Sequence, residues 1–314
     1  MRNYNKDAYY KYFDEAWKKI IERFFPYMLR FFIPHLYQDA DFSNGFIFLD
    51  KELEQLSKKS KKGAKYVDKL VEVQLKDGED QWILVHIEVQ GYADKEFPER
   101  MFRYYYRIYD KYSEKIVSLA LITGMEKGIS EGRFELEAYG SGVSFRYLSP
   151  RLMDFDKNEL EKSDNPIALV ILACQGREEA KKKGEAFNIK LRLIRSMYEK
   201  GYSQDEIRAL FEFIDWLITL SEKEEKLIRE EIEKLEGVKK VPYVTSIERI
   251  GRREGRKEGI LEVLDVRFGS VPLDITDHIN DIENDKKLKK LLRFAVSCSS
   301  IDEFKQSLNG NSKN

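Results

Sequence analysis

Hydrophobic and polar positions alternate strictly along residues 82–90, WILVHIEVQ. Ile83, Val85, Ile87 and Val89 fall on one side of an extended chain; Trp82, Leu84, His86, Glu88 and Gln90 fall on the other. The first side is aliphatic throughout, as a sheet face turned to a core requires. The second begins apolar and ends in three polar residues. KYVDKLVEVQLK at 65–76 is a second strand-like run, and the two flank Asp77-Gly78-Glu79, which predicts a hairpin. KIVSLALITG at 115–124 predicts a short buried strand ending at Gly124, and RFELEAYGSGVSFRYL at 133–148 predicts additional edge strands.

Helical spacing governs the rest. The first forty residues read as helix divided into short pieces by Pro26 and Pro34. DKEFPERMFRYYYRIYDKYSEK at 94–115 predicts a helix with Asp94 as cap and Pro98 in the first turn. Its stripe of Met101, Tyr105, Ile108 and Tyr112 should pack on the sheet. From about residue 151 the pattern stays helical, with Gly201 and Gly237 as C-terminal stops. Gly251, Gly255 and Gly259 recur every four residues along one helix face, which reads either as a surface for close helix approach or as a solvated connector. The final residues, NGNSKN, read as a disordered tail. The expected division is 1–150, a mixed α/β domain; 151–245, a helical extension; 246–260, a Gly/Arg/Glu-rich helical connector; and 261–314, a small helical appendage with its tail.

Composition narrows the classes. The 314 residues carry 55 Lys and Arg against 56 Asp and Glu, so bulk charge does not mark a nucleic-acid binder and any basic surface must be local. Two cysteines, Cys174 and Cys298, read as buried small hydrophobes of a reducing compartment, without a disulfide framework or zinc site. RFFPYMLRFFIPHLY at 23–37 is apolar, but Arg23, Pro26, Arg30 and Pro34 interrupt it too often for a membrane span, and the start has no apolar signal core. A soluble cytoplasmic protein without membrane contact is the expectation.

Candidate chemistry sits at the end of the hairpin. Asp68 and Glu88 each lie ten residues from Gly78. A three- or five-residue loop centred there puts them opposite each other on one face, with Cβ atoms about 4.5–5.5 Å apart. A two-residue Asp-Gly turn would place them on opposite faces. Neighbouring carboxylates repel and are costly to bury unpaired, and a divalent cation resolves both difficulties. Mg²⁺ takes hard oxygen ligands, typically one or two carboxylates with waters and phosphate oxygens. Gln90, on the same face, is placed to hold a water or phosphate oxygen beside it. A solvated sheet edge explains the acids on spacing alone equally well. On the following helix Arg100, Arg103, Tyr104 and Arg107 stand at i, i+3, i+4 and i+7, a row suited to a polyanion and also to an ordinary solvated face. His86 reads as structural, and His35 and His278 lack a partner pattern.

An Asp on one strand, Glu-x-Gln at the end of the next, a helix and an apolar strand resemble the PD-(D/E)XK nuclease core. VDKLVEVQLKDGEDQWILVHIEVQ followed by FPERMFRYYYRIYDKY and SLALITG resembles the recombination-promoting nuclease (Rpn), or YhgA-like transposase, family. The likeness runs over most of residues 10–260, and the segment from LEVLDVRFG onward resembles an accessory domain of unknown function. It implies an α/β, restriction-endonuclease-like core, a mixed sheet flanked by helices, followed by an all-helical C-terminal half. It further implies that Asp68 and Glu88 bind Mg²⁺, or Mn²⁺ or Ca²⁺, with the Val89 carbonyl as a further ligand. Gln90 stands where the superfamily usually has Lys, exchanging a charge for a dipole. Glu52 is the candidate for an additional acid from the preceding helix. The expected activity is metal-dependent DNA endonuclease action, in recombination or mobile-element movement, with Arg100, Arg103, Tyr104 and Arg107 on the nucleic-acid backbone. A non-cleaving nucleic-acid-binding or partner-recruiting protein on the same fold is the alternative. Homo-oligomerisation is expected through the C-terminal helical half.

Overall fold

The computed structural model of the chain describes residues 6–43, 45–57, 67–76, 82–92, 94–124, 132–239, 244–282 and 284–309. Two compact units divide it, Met1–Leu235 and Glu236–Asn314.

The first unit opens with α1, Lys6–Phe32, which kinks at Phe24 (φ −115°, ψ 20°), two residues before Pro26. Proline has no N–H to donate and its ring crowds the preceding turn, so the helix breaks there. Then follow α2 (Pro34–Asp39), β1 (Phe46–Phe48), α3 (Asp50–Ser57), β2 (Val67–Gln74), β3 (Trp82–Gln90), α4 (Phe97–Tyr112) and β4 (Lys115–Ile122). The strands form one mixed sheet in the order β1-β2-β3-β4, antiparallel except for the parallel β3–β4 pair that α4 connects.

β3 is thus an interior strand, and every residue from Leu84 to Gln90 is buried. On one face Val71, Val73, Val85, Ile87, Leu119 and Leu121 form part of the core. α1 contacts β2 and its Glu22 pairs with Lys69 on this face. On the other face Leu70, Leu84, Ala120 and Ile122 meet Phe97, Met101, Tyr104 and Ile108 of α4. Fully burying an aliphatic side chain stabilises by roughly 1.5–3 kcal/mol, so the sheet is held from both sides.

β5 (Arg133–Ala138) and β6 (Ser141–Arg146) do not extend this sheet as the sequence pattern predicts. They form a separate hairpin whose Phe134 and Phe145 pack on Phe102 and Tyr105 of α4, with ring centroids 5.1 and 4.8 Å apart. Leu148 and Arg151 beyond it make single parallel bridges to Leu119 and Ile122.

Five helices complete the unit: α5 (Lys157–Lys162), α6 (Pro166–Lys183), α7 (Ala186–Glu199), α8 (Gln204–Leu217) and α9 (Glu222–Lys239), the last running past the division. Gly201 (φ +70°) follows the end of α7 as the pattern predicts. Gly184 (φ +66°) caps α6 and splits a run that reads as one helix. Gly237 stops nothing: α9 continues through it.

The second unit is helical: α10 (Val244–Phe268), α11 (Leu273–Asn280), α12 (Asp285–Ser297) and α13 (Ile301–Asn309). Its own core includes Ile260, Leu264, Ile279, Leu288, Leu291 and Phe304. A Cβ at Gly255 would meet nothing within 4 Å, and one at Gly259 only Leu292 Cδ1 at 3.8 Å, so close helix approach within this unit requires neither glycine. The expected tail at 310–314 lies outside the described residues. Among the described residues no helix is long and apolar enough to cross a membrane.

Candidate active site

The site begins with strand register. β2 and β3 pair Val67 with Val89, Asp68 with Glu88 and Gln74 with Trp82. Asp68 and Glu88 are therefore directly opposite on one face, as a loop centred on Gly78 requires; the loop residues and the Asp68 side chain lie outside the described positions. Gln90 shares that face by the two-residue period, and Val89 faces away, buried against the other core. All three polar residues that end β3 on this side, His86, Glu88 and Gln90, are 0% exposed. A solvated edge does not account for them.

Arg100, from the first turn of α4, accounts for two of the three. Its Nε donates to Glu88 Oε1 at 3.2 Å, its Nη2 to Gln90 Oε1 at 3.1 Å and its Nη1 to Asp94 Oδ2 at 2.6 Å. The guanidinium lies 4.8 Å from the Phe97 ring centroid, and the Arg100 side chain is only 18% exposed. A planar fork can meet several acceptors at once, which an ammonium cannot do in fixed directions. Gln90 is held at both ends, since its Nε2 donates to the Tyr92 carbonyl at 2.6 Å. That fixes its amide with the oxygen toward Arg100.

Asp94 is more than the cap its position predicts. The N-cap of α4 is Glu96, without a side-chain capping bond. Asp94 instead accepts from the Glu96 N–H through Oδ1, which folds the turn before α4, and presents Oδ2 to Arg100. It lies outside the helical period, so no i, i+4 relation reveals the pair.

The polyanion row is split. Phe97, Met101, Tyr104 and Ile108 form the buried face of α4 at i, i+4, i+7 and i+11; Met101 and Ile108 belong to the predicted stripe, whereas its Tyr105 and Tyr112 are only partly buried and Tyr104 takes the interior. Tyr104 is consequently turned inward, its ring 5.0 Å from that of His86, and it does not belong to a solvent-facing row. Arg100 sits at the boundary, facing the strand. Arg103 is exposed and paired with Glu99 at 2.5 Å, and Arg107 is half-buried. Glu52, on α3, is half-buried, and among the described residues it makes no hydrogen bond or ion pair with Glu88 or Arg100.

Among the described residues His86 has no hydrogen-bond partner at either ring nitrogen. Burial, and secondarily the Arg100 charge, push its pKa down to about 3, so the imidazole is neutral at physiological pH. Ser118 Oγ, beside it in the β3–β4 ladder, is also buried without a partner.

On the opposite face Lys69, which periodicity alone marks as a cation in the apolar series Val67, Lys69, Val71, Val73, is 2% exposed and bonded to Glu22 and Asp50. Next to Asp68 in sequence, it anchors β2 to α1 and α3.

Among the described residues no group of three or more His, Cys, Asp or Glu could hold a metal ion. The described side chains that supply oxygens at this end of β3 are the Glu88 carboxylate and the Gln90 amide, and the register brings the Asp68 backbone opposite Glu88; oxygen donors of this kind are hard ligands, the kind that Mg²⁺ takes. The buried Glu88 carboxylate is met there by the Arg100 guanidinium.

Residues 55–124 match the family described as putative transposase, YhgA-like. The matched span takes in β2, β3, α4 and β4, and so the whole constellation around Arg100. No curated protein and no solved structure matches the chain.

Proposed function

We propose that the Asp68–Glu88–Gln90 end of the β2–β3 pair is a divalent-metal site that hydrolyses phosphodiester bonds of DNA with low sequence specificity. The family match supports a transposase- or nuclease-related role. The observation that carries the finer reading is the ladder register, which sets Asp68 opposite Glu88 on the face covered by α4. In this reading Asp68, Glu88 and the Val89 carbonyl hold Mg²⁺, Mn²⁺ or Ca²⁺. The ion supplies Lewis acidity, acidifying water and offsetting charge on the phosphoryl oxygens. Gln90 Oε1, engaged once by Arg100, keeps a second lone pair for that water, and its remaining amide N–H can donate to a phosphate oxygen. Arg103 and Arg107, on the outer flank of α4, contact the DNA backbone. Phosphate contacts position a strand without reading it, so binding weakens steeply with salt and discriminates little between sequences.

Plasmid nicking in Mg²⁺ or Mn²⁺ tests the proposal. Nicking is expected for the natural chain and is lost in Asp68→Ala and in Glu88→Ala; cleavage that survives both substitutions belongs to another site or another protein.

A second reading, a nucleic-acid-binding protein that no longer cuts, draws on the complete burial of Glu88 and Gln90 and on the guanidinium already in contact with both. It predicts DNA retention without turnover and a melting temperature that Mn²⁺ leaves unchanged.

A further inference from the structure

Glu88 has a fully buried carboxylate whose bonded guanidinium is itself the partly exposed member of the pair. A cation arriving at Glu88 meets Arg100 first. The two compete for the same charge: a divalent ion held by the Glu88 carboxylate repels the guanidinium bonded to Glu88 Oε1 and weakens that bond. Resting on the metal-site reading above, we propose that Arg100 is an internal counter-cation that divalent-metal binding displaces from Glu88, with Asp94 as the tether that keeps the released guanidinium beside the site.

Three features of the geometry support this. The Arg100–Asp94 contact at 2.6 Å is shorter than the 3.2 Å contact to Glu88, so the guanidinium has a second anion that survives its release. Asp94 belongs to the turn before α4 and not to the strand, so it can hold Arg100 without holding Glu88. The Phe97 face under the guanidinium offers a cation a place that needs no carboxylate. The consequence is antagonism: metal and Arg100 weaken each other's hold on Glu88, and on release Arg100 becomes a positive charge next to the position where Gln90 replaces lysine. It is a positioning and charge-supplying residue, not a docking residue on the outer face.

Calorimetric titration of the full chain with MnCl₂ tests this, using Arg100→Gln, Arg100→Lys, Asp94→Asn and Glu88→Gln. Removing a unit charge beside a divalent site should tighten Mn²⁺ binding in Arg100→Gln by about tenfold or more. Arg100→Lys, which keeps the charge and loses the fork, should bind within about threefold of the natural chain. Asp94→Asn, partly exposed and outside the helix, should bind more weakly because Arg100 then loses the anion of its shortest contact and depends more on Glu88; this variant carries the test if Arg100→Gln does not fold. Binding that depends on Glu88 but is equal or weaker in Arg100→Gln, or unchanged in Asp94→Asn, overturns the displacement and leaves the metal site standing. Binding that persists in Glu88→Gln overturns the metal-site reading, and the displacement with it.

Discussion

Lys69 and His86 are both polar, both buried, and stabilised on opposite principles. Lys69 is ion-paired with Glu22 and Asp50, whose own side chains remain 48% and 40% exposed. The triad is therefore asymmetric: losing the lysine leaves two carboxylates that water can solvate, whereas losing the carboxylates strands a buried ammonium. Lys69→Met should cost about 1–2 kcal/mol and the Glu22→Gln, Asp50→Asn pair about 3–5 kcal/mol, read by urea denaturation. Equal losses would show that the ammonium is not the vulnerable partner. His86 keeps no charge at all. Arg100 faces it from α4, Glu88 lies two residues along the same face, and Tyr104 covers it. Because its folded pKa lies below the unfolded value of 6.5, the unfolded chain takes the proton first. Its contribution is complete above pH 6.5 and is lost as pH falls toward about 3, amounting to about 3 kcal/mol by pH 4. With chelator present, the stability advantage of natural chain over His86→Leu should shrink by that amount between pH 7 and pH 4; parallel pH curves would remove His86 from the acid response. Sequence placed Glu88 and Gln90 on one face because a period of two is rigid, and left Asp68 to the loop length, which the register Asp68 opposite Glu88 decides. It could not show Asp94 meeting Arg100, since a turn preceding a helix obeys no period.

At the scale of elements, the helices and strands that carry a strong period are where the pattern puts them, and the departures occur where a period is ambiguous. α4 illustrates this: five aromatic residues between Phe102 and Tyr109 leave the apolar centre undetermined to within one position, and packing on Leu70 and Leu84 chooses Tyr104 for the interior. The hairpin β5–β6 illustrates another kind of departure. Its alternating residues satisfy a strand, but the partners that complete it are Phe102 and Tyr105 of a helix, which strand propensity cannot announce. Its turn, Tyr139-Gly140, has φ of +51° and +81°. Left-handed backbone costs an L-residue about 1–2 kcal/mol, and Asn tolerates it far better than Tyr. Tyr139 is fully exposed, so no packing is lost on replacement. Tyr139→Asn should slow amide exchange across Leu136–Val143 about two- to fivefold; faster exchange would mean that the exposed ring stabilises the turn after all.

For the whole molecule, the division at Leu235 and Glu236 separates two cores built by different means. In the first, helices α6 to α9 belong to the same compact unit as the sheet, although their sequence reads as a separate extension; an amphipathic stripe reports that a helix is buried but not against what. In the second, apolar residues on four helices close on one another, from Ile260 to Leu308. A set of contacts that closes on itself folds without the rest of the chain, though a unit of this size draws only about 3–5 kcal/mol from a single core. Separating the chain between Lys239 and Val244, where α9 ends and α10 begins, cuts neither core. Residues 240–314 alone should melt cooperatively by circular dichroism, and residues 1–239 should keep the Glu88-dependent Mn²⁺ affinity proposed for the full chain. If self-association runs through α10 to α13, the full chain elutes as an oligomer and residues 1–239 as a monomer. Loss of Mn²⁺ binding in residues 1–239, with its far-ultraviolet spectrum intact, would show that the second unit completes the site, which the placement of Asp68, Glu88, Gln90 and Arg100 within residues 68–100 argues against.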